Sequence, residues 1–388
     1  MVSSGIGSEP HRSETLDIFR GFAAVFMVVN HAGFRLWASA SHGDEWSAAV
    51  LLLSSFAPGL FFFATGVGIG LRSGVRSNSL ADTSYKAGLL VLADQLGAWR
   101  MGAWWTLDFF SFIGLSMLTL TALARSRQPV RNAALLFCAV ILLRFVIGPS
   151  LKGVLPETGW SAALIGVHGQ RGVSYPVSPW ICFPLAGFLL ARACPLTSDA
   201  WRSTAYVSVV SGGFALALAY AGASFFRWGT MSLSFFVLSV PVLAFTCLLA
   251  QAIQKWLPNF GHLIALRGVS AFLVVPVHYA VLEVFSRRAI SDLSGYHYGI
   301  TLLALLALSF AISKGLDRAI AYVCRFEGSV IAYALFGLAA ACIAATIVLG
   351  APGQMDAFAT ATVAQFMVAF GLAKRLRNSR SATSSRLA

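Results

Sequence analysis

The sequence predicts an all-α, polytopic integral membrane protein with about 10–12 transmembrane helices and both termini in the cytoplasm. Three observations carry this. Residues AVILMFWYC make up 57% of the chain and charged residues only 11%, against about 25% charged in soluble domains. Mean hydropathy is +0.76. The apolar residues fall into runs of membrane-crossing length, and the basic residues collect between alternate runs.

Twelve spans can be drawn: about 15–37, 47–71, 85–100, 106–124, 130–148, 176–194, 203–223, 232–253, 265–285, 297–314, 329–349 and 355–373. Residues 1–14 form a polar tail, 15–374 a single transmembrane domain, and 375–388 a basic cytoplasmic tail. No apolar signal-peptide core precedes the first span, which would itself direct insertion. Of the 28 Lys and Arg, alternation from a cytoplasmic N-terminus places 20 on the cytoplasmic side and 7 on the other, with Arg144 inside a span. That is the asymmetry expected of positive-inside sorting. The formal charge of +13 is therefore explained without nucleic acid, for which no basic patch with interleaved aromatics exists. The six Cys show neither a CxxC pair nor metal-ligand spacing, so they read as small apolar residues and no metal site is expected.

The first span, TLDIFRGFAAVFMVVNHAGFRLW, is unlike a plain anchor. Asp17, Arg20, Ala24, Met27, His31 and Arg35 share one helical stripe. A charge at mid-membrane costs roughly 2.5–3.5 kcal/mol, so such groups face protein or a wet cavity. Arg20 and His31 stand about 16.5 Å apart along the axis at 1.5 Å per residue. The helix thus sets an Arg near the cytoplasmic face and a His near mid-depth. Neutral imidazole can take a proton from a hydroxyl or amine. The planar Arg20 guanidinium suits phosphate, and Asp17, three residues earlier, can neutralise and orient it.

Other features follow in chain order. His42 stands beside Asp44 and Glu45 in the first loop, either as a general base or as an ordinary solvated residue. Gly66, Gly68 and Gly70 in the second span suit close helix packing; no strand precedes them, so they are not a dinucleotide fingerprint. Asp94 and Asp108 are acids within or at the edge of spans and so candidates for function, or partners for Arg100. The loop of residues 149–175 carries Trp160, His168 and Arg171 among glycines. It is either a lid with a polar acceptor site or a turn-rich connector. Pro176, Pro179 and Pro184 open the sixth span and free backbone carbonyls. Pro179 and Trp180 then read as a cavity wall. In the ninth span, VVPVHYAVLE offers Pro276, His278, Tyr279 and Glu283. His278 could share the cavity of His31.

The opening TLDIFRGFAAVFMVVNHAG resembles the signature of transmembrane acyltransferases: Leu-Asp-x-x-Arg-Gly, with a His eleven residues after the Arg, as in the acyltransferase-3 family. PGLFFFATGVGIGLR, LDFFSFIGLSML and YPVSPWICFPLAGFLLAR resemble blocks of the heparan-α-glucosaminide N-acetyltransferase-like proteins. The similarity covers roughly residues 12–195. It implies transfer of an acyl group, usually acetyl, from cytoplasmic acyl-CoA to a hydroxyl or amine of a glycan or glycolipid on the opposite face. Acetyl-CoA is then a co-substrate, and no permanently bound cofactor is implied. The first family's pattern nominates Arg20 and His31. The second nominates Asn30, which would donate to the thioester carbonyl, and a His in the following loop, for which His42 is the candidate. Relatives carry an arginine-rich entry to the third span. Here that entry is ADTSYKAGLL, so Lys86, Arg72 and Arg76 would serve CoA beside Arg20 and Asp17. Asp108, Pro179, Trp180, His278 and Arg171 would border the acceptor cavity. By analogy the protein would reside in a bacterial inner membrane. A transporter or lipid- or sugar-binding protein could use the same stripe, but paired halves typical of transporters are not found.

Overall fold

The computed structural model describes residues 13–37, 45–72, 80–100, 105–151, 154, 160–166, 173–193, 206–207, 209–217, 231–267, 269–287, 293 and 295–323. The expected spans at 329–349 and 355–373, residues 1–12 of the N-terminal tail, the C-terminal tail, His42, Arg76 and Arg171 lie outside them.

Helix α1 (Glu14–Leu36) is the centre of the bundle. Ser13 caps it, its hydroxyl accepting the Leu16 N–H at 3.3 Å, and Glu14 and Asp17 lie in the first turn, where carboxylates meet the positive end of the helix. Its 23 residues reach about 34 Å at 1.5 Å each. Asp17, Ala24 and Met27 of the predicted stripe are buried, and Arg35 alone is exposed.

The second predicted span is two helices, α2 (Glu45–Ser54) and α3 (Ala57–Arg72). The break falls at Ser55–Phe56. Pro58 follows in the first turn of α3, where a missing N–H costs nothing. The Ser54 and Ser55 hydroxyls turn back on the carbonyls of Leu51 and Leu52, at 3.1 and 2.6 Å. Next come the antiparallel pair α4 (Leu80–Arg100) and α5 (Phe109–Ala124), then α6 (Pro129–Ile141). A π turn over Leu142–Ile147 extends α6, and it contains Arg144. The loop expected over 149–175 holds a short helix, α7 (Trp160–Ile165). It ends on Gly166, at φ +67, where any Cβ would meet Pro176. The sixth span is also broken, into α8 (Val177–Trp180) and α9 (Cys182–Ala193). Residues 209–217 are helical. The rest comprises α10 (Leu233–Trp256), α11 (Pro258–Ile264), α12 (Ser270–Arg287) and α13 (Gly295–Val323).

Among the described residues four stretches are long and apolar enough to cross a membrane: Ala48–Arg72, Pro129–Leu151, Leu233–Trp256 and Tyr296–Tyr322. Phe109–Ala124, Val177–Arg192 and Ser270–Phe285 are shorter apolar helices. This is an all-α polytopic membrane protein.

Around α1 stand α2, α3, α10, α11, α12 and α13. The tightest pairing is α3 on α9. A Cβ on Gly66 would come 2.9 Å from the Phe188 nitrogen, one on Gly70 2.7 Å from Ala191, and one on Gly187 2.9 Å from the Val67 nitrogen. Small residues let these backbones touch, the usual means of helix association in lipid. Gly68 points elsewhere, to Arg20. Side chains from α3, α5, α8, α9 and α10 form an aromatic core of Phe62, Phe112, Trp180, Phe183 and Phe235.

Candidate functional site

The two ends of α1 are held differently. At its start, the end predicted to be cytoplasmic, Glu14 pairs with His262 at 2.9 Å and Arg267 at 3.4 Å, and the Thr15 hydroxyl bonds Gln254. Asp17 bonds Arg20 at 3.0 Å, and Arg267 approaches it to 3.9 Å. Asp17 therefore sits between two guanidinium groups, a neutralising and orienting position. Arg20 lies over Gly68, within 3.2 Å of where a Cβ there would stand. At the other end Arg35 pairs with Glu283 at 2.9 Å.

Between these ends, nearer the Arg35 side, lies a cavity of about 140 Å³, room for several waters. His31 and Asn30 of α1, Tyr279 of α12, Asp94 of α4, Asp108 at the start of α5, and Tyr175 line it. Ser54, Ser55, Ala57 and Pro58 bring the α2–α3 break to its wall. An interruption of a membrane helix is tolerated where the backbone meets a polar cavity rather than lipid. No Lys or Arg lines the cavity among the described residues.

His31 is the most connected group. Its Nδ1 is 2.8 Å from Nε2 of His278, and its Nε2 is 3.2 Å from the Tyr279 hydroxyl. The rings of His31 and His278 stack with centroids 5.1 Å apart. His278 is buried, and its Nδ1 lies 3.0 Å from the Val274 carbonyl one turn earlier. It stands behind His31 rather than on the cavity wall.

Asn30 donates from Nδ2 to the Leu51 carbonyl at 3.3 Å and to Ser54 Oγ at 3.1 Å. Both amide protons are thus engaged at the end of α2. The donor role expected of Asn30 toward a thioester carbonyl does not fit this arrangement.

The facing wall is acidic. Asp94 accepts the Ser111 N–H at 2.5 Å, so α4 caps the first turn of α5 from outside. Beside it, Gln95 accepts from the Thr106 N–H at 3.0 Å and donates to the Thr106 carbonyl at 2.7 Å. Asp108 is the N-cap residue of α5, held by Ser174. The pairing of either acid with Arg100 suggested by sequence falls on a side chain outside the described ones. Ser174 and Tyr175 are anchored by their N–H groups to the Leu107 carbonyl, at 3.1 and 3.3 Å.

Of the residues nominated from sequence, His31, Asn30 and Asp108 meet at the cavity. Trp180 is one layer back, edge-on to Tyr175 with centroids 5.0 Å apart, and Pro179 is buried beside it. Lys86 is paired with Asp82 at 2.6 Å. Arg72 ends α3. Tyr175, Ser54 and Ser55 were not anticipated. The run Ser-Ser-Phe-Ala-Pro-Gly inside an apolar stretch is the signal that marks the break.

No curated protein matches the chain. The family model for heparan-alpha-glucosaminide N-acetyltransferase, catalytic, matches residues 12–241. That interval contains the whole of α1, the α2–α3 break, both cavity carboxylates and Tyr175. The chain belongs to the heparan-alpha-glucosaminide N-acetyltransferase catalytic family.

Proposed function

We propose that the protein moves an acetyl group from cytoplasmic acetyl-CoA to a hydroxyl or amine of a glycan or glycolipid at the opposite face of a bacterial inner membrane. The family supports an acetyltransferase. The observation that carries the fuller reading is one helix bearing Arg20, held by Asp17, at one end and His31, facing a polar cavity, toward the other.

The phosphate-bearing end of the donor binds at the Arg20 and Arg267 end, and its long flexible arm carries the thioester to the cavity. The acceptor enters from the Arg35 side. As its oxygen or nitrogen attacks the thioester carbonyl carbon, the His31 imidazole takes its proton. The C–S bond then breaks, and the proton passes from His31 to the departing thiolate, leaving free CoA thiol. Asn30, with its N–H groups engaged, uses Oδ1 to accept a hydrogen bond from the acceptor. Asp94 and Asp108, with no cation on the cavity wall among the described residues, favour an acceptor rich in O–H and N–H donors.

The test is transfer of label from radiolabelled acetyl-CoA to amino-sugar and sugar acceptors by the purified protein. His31→Ala should remove about 10²–10⁴-fold of turnover, the usual worth of a general base. Arg20→Ala should act mainly on KM for acetyl-CoA. Unchanged turnover in His31→Ala overturns the assignment, and His42→Ala tests the histidine outside the described residues. A labelled sugar crossing vesicles with no acetyl-CoA consumed would replace the enzyme by a transporter.

A further inference from the structure

His31 and His278 come from helices far apart in sequence, yet they form one directed hydrogen-bond chain with Val274 at one end and Tyr279 at the other. The direction is fixed by a group that cannot donate. The Val274 carbonyl only accepts, so His278 Nδ1, 3.0 Å away, carries the proton. A neutral His278 then has a bare Nε2. That nitrogen is 2.8 Å from His31 Nδ1. Two lone pairs cannot face each other at this distance, and a second proton on a buried imidazole is costly. His31 Nδ1 therefore donates, and His31 Nε2 is left bare. At 3.2 Å the Tyr279 hydroxyl donates to it.

We propose that His278 is a positioning residue: it holds His31 in the tautomer whose Nε2 faces the cavity as proton acceptor. The proposal rests on His31 being the base in the acetyl-transfer reading. The imidazole is presented in its basic form before any acceptor arrives. The same contact also helps the charged state. When His31 Nε2 takes the acceptor's proton, the Nδ1–H···Nε2 bond to His278 becomes charge-assisted, and such bonds are the stronger kind. Stabilisation that grows as the reaction proceeds raises turnover rather than binding. His278 moves no proton itself. Its Nδ1–H stays on Val274 throughout, and the proton received by His31 leaves on the CoA thiol. Tyr279 yields the Nε2 lone pair to the acceptor and can then accept from the new Nε2–H.

The experiment uses the full chain in lipid nanodiscs, with ¹⁵N-labelled histidine. The His31 signals are assigned by their loss in His31→Gln. The wild type should show His31 protonated at Nδ1 and bare at Nε2. His278→Leu should lose that preference, and kcat should fall by about 10²-fold, the lower end of general-base contributions, with KM for acetyl-CoA changed less than about twofold. His278→Gln, whose amide oxygen can accept the same proton, should keep the tautomer and return kcat to within about tenfold of wild type. A purely space-filling role predicts no such rescue. A wild-type His31 protonated at Nε2 overturns the proposal, as does a His278→Leu kcat within about threefold of wild type. Should His278→Leu fail to fold, the wild-type tautomer and the Gln variant decide. If the tautomer is as stated but no acetyl moves, the positioning stands and the acetyl-transfer reading falls.

Discussion

Gly66→Ala tests the packing on which the cavity wall depends. An added Cβ would sit 2.8 Å from the Pro184 carbonyl carbon and 2.9 Å from the Phe188 nitrogen, whereas ordinary contacts begin at 3.4 Å. The Pro184 carbonyl oxygen lies closer still, and all three atoms are backbone, so no side chain can swing aside and α3 and α9 must part by well over half an ångström. Overpacking of this kind costs about 1–3 kcal/mol. Alanine's better helix propensity returns at most about 1 kcal/mol, so a net loss near 1–2 kcal/mol is expected. Gly88→Ala is the matched control, since nothing lies within 4 Å of its Cβ position. It should be neutral or stabilising by up to about 1 kcal/mol. Thermal unfolding in detergent should place Gly66→Ala several degrees below wild type and Gly88→Ala level with it or above. Equal midpoints for wild type and Gly66→Ala would refute the close α3–α9 contact.

Three further outcomes are expected. Asp94→Ala leaves the buried Ser111 N–H without the acceptor it has at 2.5 Å and should cost about 1–3 kcal/mol, while Asp94→Asn keeps an acceptor and costs less; denaturation midpoints separate them. Gly68→Ala puts a methyl 3.2 Å from an Arg20 nitrogen, a flexible neighbour. Stability should hold to about 0.5 kcal/mol, while KM for acetyl-CoA rises several-fold at constant kcat in steady-state assays. The Arg35–Glu283 pair, 2.9 Å apart with side chains 44% and 27% exposed, should show a coupling below about 1 kcal/mol in a double-mutant thermal-stability cycle.

The α1 stripe is legible in the sequence because Asp17, Arg20 and His31 are out of place in hydrocarbon and share a periodicity, with Asn30 adjoining it. The break at Ser55–Phe56 is half legible: Pro58 marks it, yet the apolar run continues across it unchanged. His278 is nominated from sequence only as a residue that could share the cavity of His31, and its direct contact with that ring is not legible. His278 lies in a different helix, 247 residues away, and helical periodicity says nothing of which helix comes alongside. For the same reason Asp94 and Asp108 read as separate acids and Trp180 as cavity wall, although the folded chain puts Tyr175 in front of it. The resemblance nominates Asn30 as a donor to the thioester, but its donors turn to Leu51 and Ser54 because α2 ends against it, and that ending is itself set by the break.

The glycine contact between α3 and α9 also bears on how the protein is made. Gly66 and Gly187 are 121 residues apart, so at about 5–20 residues per second the ribosome needs roughly 6–24 s to supply the second after the first. Through that interval α9 is not there to cover Gly66 and Gly70 of α3. Its later neighbour α5 enters before its tightest one. The bundle around the cavity therefore cannot close in order of synthesis, and a gap beside α3 must be kept open, or reopened, until α9 arrives.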